Sequence, residues 1–374
     1  MELADLPTPS LVVDKGRVAV NTAAMRTRLA GHGVNLRPHA KTAKSVEVAR
    51  LALGDGTGGL TISTLAEANY FLAHGLSDMT YAVCISPGKL DAIADLMRRG
   101  ADIKIITDSV DVGNAIARHG APFQVLIEID CGEHRTGVAA DSAELTAIAD
   151  AVTAMTGGAE IKGVLTHAGH SYLSRNGEEA AEIAEVERLA AVAAAARLRD
   201  AGCETPIISV GSTPTATHAR SMQGVTEARP GVYVFQDLFQ AGIGSCGLDD
   251  LALSVLASVI SRHPERGTVM IDAGGLALSK DRSTGAFDGE DDCGFGMICD
   301  MSGTPMAGLR IAGVHQEHGE IKVTDRAVFE QLSVGAKVRV LPNHACMTAA
   351  AYGVYHIVEG GVEVTETWER CNGW

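Results

Sequence analysis

"IKGVLTHAG" (161–169), "GEEAAEIAEVERLAAVAAAARLRDAG" (177–202) and "PIISVGS" (206–212) follow one another in the middle of this chain. The first and third are short, apolar and bounded by Gly, Pro and Ser, which predicts strands. The run between them sets Glu and Arg on one face and Ala, Leu and Val on the other, as an amphipathic helix does. Gly202 stands where that helix should close. Strand, crossover helix and strand make one βαβ unit.

The same alternation extends in both directions. Strands are expected at "GVNLRPH" (33–39), "LTIS" (60–63), "MTYAV" (79–83), "DIKIIT" (102–107), "FQVLIEID" (123–130) and "VTEARPGVYVF" (225–235), with helical runs such as "TLAEANYFLAHG" between them. Eight strand–helix repeats fit a (β/α)8 TIM-type barrel, whose usual size is roughly 250 residues. A doubly wound open sheet is the competing α/β arrangement, but no Gly-rich dinucleotide fingerprint follows the first strand. After residue 247 the pattern changes. "LALSVLASVISRH", "GTVMIDAGG", "GLRIAGVHQEHGEIKV", "AKVRVLPNHAC" and "YHIVEGGVEVTETWE" are β runs parted by Gly, Pro and Asp turns. The expected organisation is therefore a barrel over 15–247 and an all-β domain over 248–374. "SLVVD" (10–14) could add a strand to the latter.

Of the 374 residues, 46% are hydrophobic and 21% charged, a globular composition. The net charge of −15 opposes a nucleic-acid partner, since phosphate binding needs a basic surface. The eight cysteines include no CxxC pair. In a chain of this length they predict buried thiols in a reducing, cytoplasmic setting rather than a disulfide framework. "MELADLPTPSLVVD" lacks a cationic segment before a long apolar run, so no signal peptide is expected. No apolar window reaches the roughly 18 residues of a membrane span.

Chemistry in such barrels gathers at the C-terminal ends of the strands. Lys41 falls there after strand one, Arg135 after strand five in "IDCGEHRTGV", and His167 and Tyr172 after strand six in "THAGHSY". Gly211, Ser212 and Thr213 follow strand seven in "VGSTPT", and Gly231 and Tyr233 follow strand eight in "RPGVYVF". The loops after strands seven and eight commonly hold a phosphate, and a glycine, hydroxyls and a following helix N-terminus suit that role. A lysine of lowered pKa can form a Schiff base with an aldehyde. Pyridoxal phosphate carries both groups. Each residue also has a plain reading: Lys41 as a solvated lysine, "GST" as a turn, His167 as a satisfied core histidine. The arrangement carries the inference, not any one member.

"LRPHAKT", "THAGHSY", "SVGSTPT", "GVYVF", "QEHG", "LPNHAC" and the closing "TWERCNGW" together resemble the alanine-racemase-fold pyridoxal-phosphate enzymes that act on D-3-hydroxy amino acids. The resemblance spans essentially the whole chain. It implies that Lys41 is the Schiff-base lysine and that Arg135 stands by the cofactor's phenolic oxygen. His167 and Tyr172 would surround the ring, and Ser212, Thr213, Gly231 and Tyr233 the phosphate. It also implies a homodimer with active sites at the subunit interface.

His344 and Cys346 in "LPNHACMTAA" are two apart. On a strand, such residues share a face, and imidazole with thiolate suits zinc. Alone, HxC is a weak motif. The resemblance implies that the pair holds a divalent ion (Zn, Mn, Mg or Co) beside the cofactor. His-x-Cys goes with the dehydratases of the group and His-x-Asp with the aldolases. The nearby His315, Glu317 and His318 could support that site. The expected activity is thus β-elimination from a D-3-hydroxy amino acid, with D-threo-3-hydroxyaspartate going to oxaloacetate and ammonia. The metal would act as a Lewis acid on the 3-hydroxyl. Arg310, Lys280 and Arg282 are cations available for a second substrate carboxylate. The rivals are retro-aldol cleavage to glycine and an aldehyde, D-serine dehydration, racemisation, and a non-catalytic cofactor carrier. The β domain argues against the last. Beyond the small-molecule substrate, neither nucleic acid nor membrane is an expected partner.

Overall fold

The computed structural model describes residues 1–54, 58–155 and 158–374. They form two compact units: Ala23–Gly231 with Cys371–Trp374, and Met1–Thr22 with Val232–Arg370. Strand β1 (Ser10–Asp14) belongs to the second unit.

The first unit holds β2 (Asn35–Leu36), β3 (Leu60–Ile62), β4 (Asp78–Cys84), β5 (Asp102–Thr107), β6 (Gln124–Ile129), β7 (Glu160–Thr166), β8 (Ile207–Val210) and β9 (Glu227–Ala228). They form a parallel sheet in the order β2-β9-β8-β7-β6-β5-β4-β3. The free edges meet through a parallel bridge between His39 and Thr61. There the Ala40 N–H donates to Thr61 O at 2.8 Å, and the Thr61 N–H to Pro38 O at 2.9 Å. The sheet therefore closes into the expected eight-stranded barrel.

Two strands are shorter than the sequence predicts. "GVNLRPH" is regular only over Asn35–Leu36, because Pro38 has no N–H to give and pairing resumes one residue later. "VTEARPGVYVF" is regular only over Glu227–Ala228. Pro230 and Gly231 end it, and Val232–Val234 forms a 3-10 helix. The central helix runs Gly177–Asp200, and Gly202 beyond it has φ +88°, a left-handed value glycine adopts readily.

Barrel interiors are usually filled by branched apolar side chains. Here ion pairs run between the strands instead. Lys104 reaches Asp78 at 2.8 Å, Arg37 reaches Asp78 at 2.8 Å, and Arg37 Nε reaches Glu227 at 2.7 Å. Gly59 makes room for this chain, since a Cβ at that point would collide with Arg37 and Asp78.

In the second unit, β10 (Leu253–His263) is the spine. Its first half pairs with β1, and also with β15 (Lys337–Leu341). After an irregularity between Val259 and Ser261 it turns to β11 (Thr268–Ile271). The sheet continues through β14 (Gly319–Lys322), β13 (Pro305–Val314) and β12 (Met297–Cys299) back to β15, closing a six-stranded antiparallel barrel. Beyond β1 it extends to β16 (Val354–Val358) and β17 (Glu366–Glu369). No helix among the described residues is long and apolar enough to cross a membrane.

Candidate active site

The chain leaves the barrel seam at Ala40 and turns before the next helix begins at Val46. The turn closes with the Lys44 N–H on Ala40 O at 2.7 Å. Lys44 is tied to the fully buried Glu67 at 3.0 Å, and Thr42 is buried. This pinned loop presents Lys41 to a cavity also lined by His39, Glu128, Arg135, His167 and Arg229.

The cavity joins three basic side chains to one carboxylate. Both histidines are held neutral. Burial and then the charge of Lys41 push His167 down to about 3, and the same causes hold His39 well below its ordinary value. His167 Nδ1–H donates to Gly211 O at 2.8 Å, which fixes the tautomer and turns Nε2 outward as the acceptor. Glu128 accepts the Cys84 thiol at 2.9 Å. Burial, and next the Glu128 charge, push that thiol far up, so it is a donor and not a nucleophile. Cys84, Asp108 and Glu128 offer ligand atoms within 4.8 Å of one another.

Gly211 has φ +126°, and a Cβ there would come 2.8 Å from Arg229 N. Gly231 packs against the Lys41 loop, with a hypothetical Cβ 3.1 Å from Thr42 Oγ1 and 3.2 Å from His39 Cβ. Both positions need glycine for close approach. Ser212 caps the helix Thr213–His218, its Oγ also 2.8 Å from Ser171 Oγ. Thr213 is buried, and Tyr172 lies in the 3-10 helix Gly169–Leu173. Tyr233, buried in its 3-10 helix, belongs to the second unit. Of the sequence-predicted residues, Lys41, Arg135, His167 and Gly211 line the cavity itself.

Sequence reasoning missed Arg229 and Glu187. Arg229 stands inside "VTEARPGVYVF" (225–235), which the sequence predicts as one strand. Glu187 belongs to the Glu- and Arg-bearing face of the helix Gly177–Asp200, yet it is 1% exposed. Its Oε1 accepts the N–H groups of Ala168 at 2.9 Å and Gly211 at 3.0 Å, locking together the loops after β7 and β8.

The HxC pair is not on a strand, contrary to the sequence reading. β15 ends at Leu341, and Pro342 stops the ladder. His344 is the N-cap of the helix Ala345–Ala349, and Cys346 is its second residue. The pair still converges, because His344 hydrogen-bonds with Cys346. Asp281 Oδ2 holds His344 Nδ1 at 2.7 Å. Asp237 accepts the Ala345 N–H at 3.0 Å and pins the helix start. Burial lowers the His344 pKa, but Asp281 and Cys346 outweigh it and raise the ring to about 11. A cation suits this place, and N and S donors with an orienting carboxylate fit zinc. Ser279, two residues before Asp281, holds φ +67° and accepts the Asp281 N–H at 3.0 Å, local strain that sets the Asp281 loop. His315, Glu317 and His318 lie exposed in the β13–β14 turn. Arg282 pairs with Asp292 at 2.5 Å, Arg310 donates to the backbone of Asp292, and the exposed Lys280 lies along Gly275.

Residues 13–238 match the family described as alanine racemase, N-terminal domain, and residues 252–358 match a serine dehydratase domain. The chain is 44% identical over 380 residues to a D-threo-3-hydroxyaspartate dehydratase of Delftia sp. (strain HT23), covering 100% of this chain and 99% of that one. It is 30% identical to a D-threonine aldolase of Arthrobacter sp, covering 98% and 93%. A solved D-threo-3-hydroxyaspartate dehydratase, a cysteine-to-alanine mutant in the metal-free form, matches with TM-score 0.94 and 43% identity over 100% of both chains.

Proposed function

Because this chain belongs to the alanine racemase N-terminal domain family and carries a serine dehydratase domain behind it, we propose that it is a pyridoxal-phosphate- and divalent-metal-dependent lyase. Its substrate is a D-3-hydroxy amino acid, with D-threo-3-hydroxyaspartate preferred and oxaloacetate and ammonia as products. The full-length likeness to the Delftia dehydratase supports this choice of substrate. The observation that carries the chemistry is Lys41 in one cavity with Arg135, Arg229 and a neutral His167.

The residues fit the cofactor. Lys41 is the amine for its aldehyde, and two glycines clear space beside the cavity. Ser212, Thr213, Gly231 and Tyr233 are the candidates for its phosphate, and Tyr172 for its ring. When bound, pyridoxal phosphate supplies a sink for the negative charge at Cα, and the metal a Lewis acid for the departing hydroxyl. Lys41 takes the Cα proton. His167 is a poor competitor for it, since burial disfavours the protonated ring and holds its pKa at about 3, so its free Nε2 is a weak base. Arg135 and Arg229 stabilise negative charge in the cavity. His344 and Cys346 hold the metal, and Asp281 fixes the imidazole.

The test is incubation of the protein, pyridoxal phosphate and a divalent metal with D-threo-3-hydroxyaspartate, D-serine and D-threonine. Oxaloacetate with ammonia is expected from the first. Glycine with an aldehyde would replace the dehydratase with the aldolase reading, which the Arthrobacter relative keeps in view. A homodimer and a reducing, cytoplasmic setting complete the proposal; eight free cysteines support the latter. Light scattering of the purified protein checks the dimer.

A further inference from the structure

Arg229 lines the cavity, but the oxygens it donates to inside the barrel are not carboxylates. They are Ser209 Oγ at 2.6 Å, Val210 O at 3.2 Å and Thr166 O at 2.5 Å. Ser209 Oγ in turn donates to Glu227 Oε1 at 2.6 Å. Resting on the cofactor reading above, we propose that Ser209 is a positioning residue: it relays the charge of Glu227 to Arg229 and so fixes the guanidinium that faces the cofactor cavity.

The direction of the relay is forced. An ionised carboxylate only accepts and a guanidinium only donates, so the single hydroxyl proton of Ser209 must point at Glu227. Its lone pair is then left to Arg229. Hydrogen bonds polarised in series strengthen one another where water is excluded. Water is excluded here: Ser209 is 0% exposed and Arg229 3%.

The carboxylate is itself anchored. Ser209 and Glu227 are register partners on β8 and β9. Glu227 Oε2 accepts Arg37 Nε at 2.7 Å, and Arg37 forks onto Asp78 at 2.8 and 3.2 Å. Asp78 also accepts Lys104 at 2.8 Å. Opposite charges thus alternate from the strand starts to the cavity, and each fixes the next. Without Ser209 the guanidinium keeps two carbonyl acceptors, and no hydrogen bond links it to the anchored carboxylate.

Ser209→Ala leaves every charge in place and removes only the relay. We expect the Kd for pyridoxal phosphate to rise about tenfold, the effect of one hydrogen bond to a charged group. The visible absorption maximum of the loaded protein should shift with it. Ser209→Thr keeps the hydroxyl and should restore both. If Ser209→Ala melts earlier but binds the cofactor with wild-type Kd and spectrum, Ser209 is merely structural and the proposal is overturned. Should that variant not fold, Ser209→Cys, a weak donor of similar size, is read the same way: a smaller rise in Kd is expected, and none overturns the proposal. Lys41→Ala is the separate control. An unchanged visible band there would defeat the cofactor reading, whereas a null result at Ser209 leaves that band dependent on Lys41.

Discussion

Lys41 is set apart from the other lysines by the loop that carries it. The seam bridge at His39 and the Lys44–Glu67 pair hold the loop at both ends, so its side chain is directed into the cavity. Lys41→Ala should abolish the visible band of the cofactor-loaded protein and any borohydride-reducible adduct, as absorbance before and after reduction will show. His167 gives a pH prediction for the apo protein. Its folded pKa, about 3, lies below the ordinary value of 6.5. Between those limits the unfolded chain binds more protons. Stability is therefore complete above pH 6.5 and is lost as pH falls from there, by roughly 1 kcal/mol per pH unit from this ring. Urea unfolding across pH 7 to 5 should show at least that slope, since the buried His39 acts in the same direction, and His167→Asn should reduce it by the share of this ring. At Cys346 the question is donor softness. Cys346→Asp puts a hard oxygen where sulfur stood, and product analysis should show lost oxo-acid formation with some glycine release. Full dehydratase activity in that variant would show that Cys346 does not choose the reaction. The placing of Lys41 in the loop after the first barrel strand was legible from the strand–helix order, whereas the HxC pair was singled out by resemblance alone and its expected strand is a helix start. Arg229, Asp281 and Ser209 were not legible, because their roles come from partners 63, 63 and 18 residues away.

Helices and strands report the same limit one level up. Strand positions from "DIKIIT" to "PIISVGS" were legible because hydrophobic runs bounded by turn residues recur at βαβ spacing, and the long helix because its periodicity is sustained. The ends of strands one and eight were not, because Pro38 and Pro230 interrupt ladders that composition alone continues. The HxC helix was hidden for a related reason: five residues carry too little periodicity, and its start depends on Asp237, 108 positions upstream. Nor could an amphipathic pattern reveal that one Glu on the polar face of Gly177–Asp200 is buried. That residue gives the prediction at this scale. Glu187→Ala strands the N–H groups of Ala168 and Gly211 and should destabilise the barrel by about 2–4 kcal/mol in urea unfolding. Glu187→Gln keeps an acceptor at Oε1 and should lose clearly less. Equal losses would mean that the charge, not the paired acceptance, is what the loops need.

At the scale of the whole molecule, the candidate cofactor and metal residues fall largely into separate units, with Lys41 in one and His344 and Cys346 in the other. Each loading should be removable without the other. Chelation should stop turnover and leave the visible band, and His344→Ala should do the same, with metal analysis showing loss of the ion. A band that disappears on chelation would contradict that independence. The second unit has one more property, which lies in its strand order. β1 sits between β10 and β16, with Ser10 opposite Leu256. The barrel strands are encoded between β1 and β10. On a ribosome adding about 5–20 residues per second, "SLVVD" emerges tens of seconds before the segment that will cover it. By the end of that interval an apolar strand with both edges bare accompanies a barrel whose own strands are complete. Nascent chains halted before residue 253 should therefore engage chaperones through their first fourteen residues, and should stop doing so once β10 has left the exit tunnel.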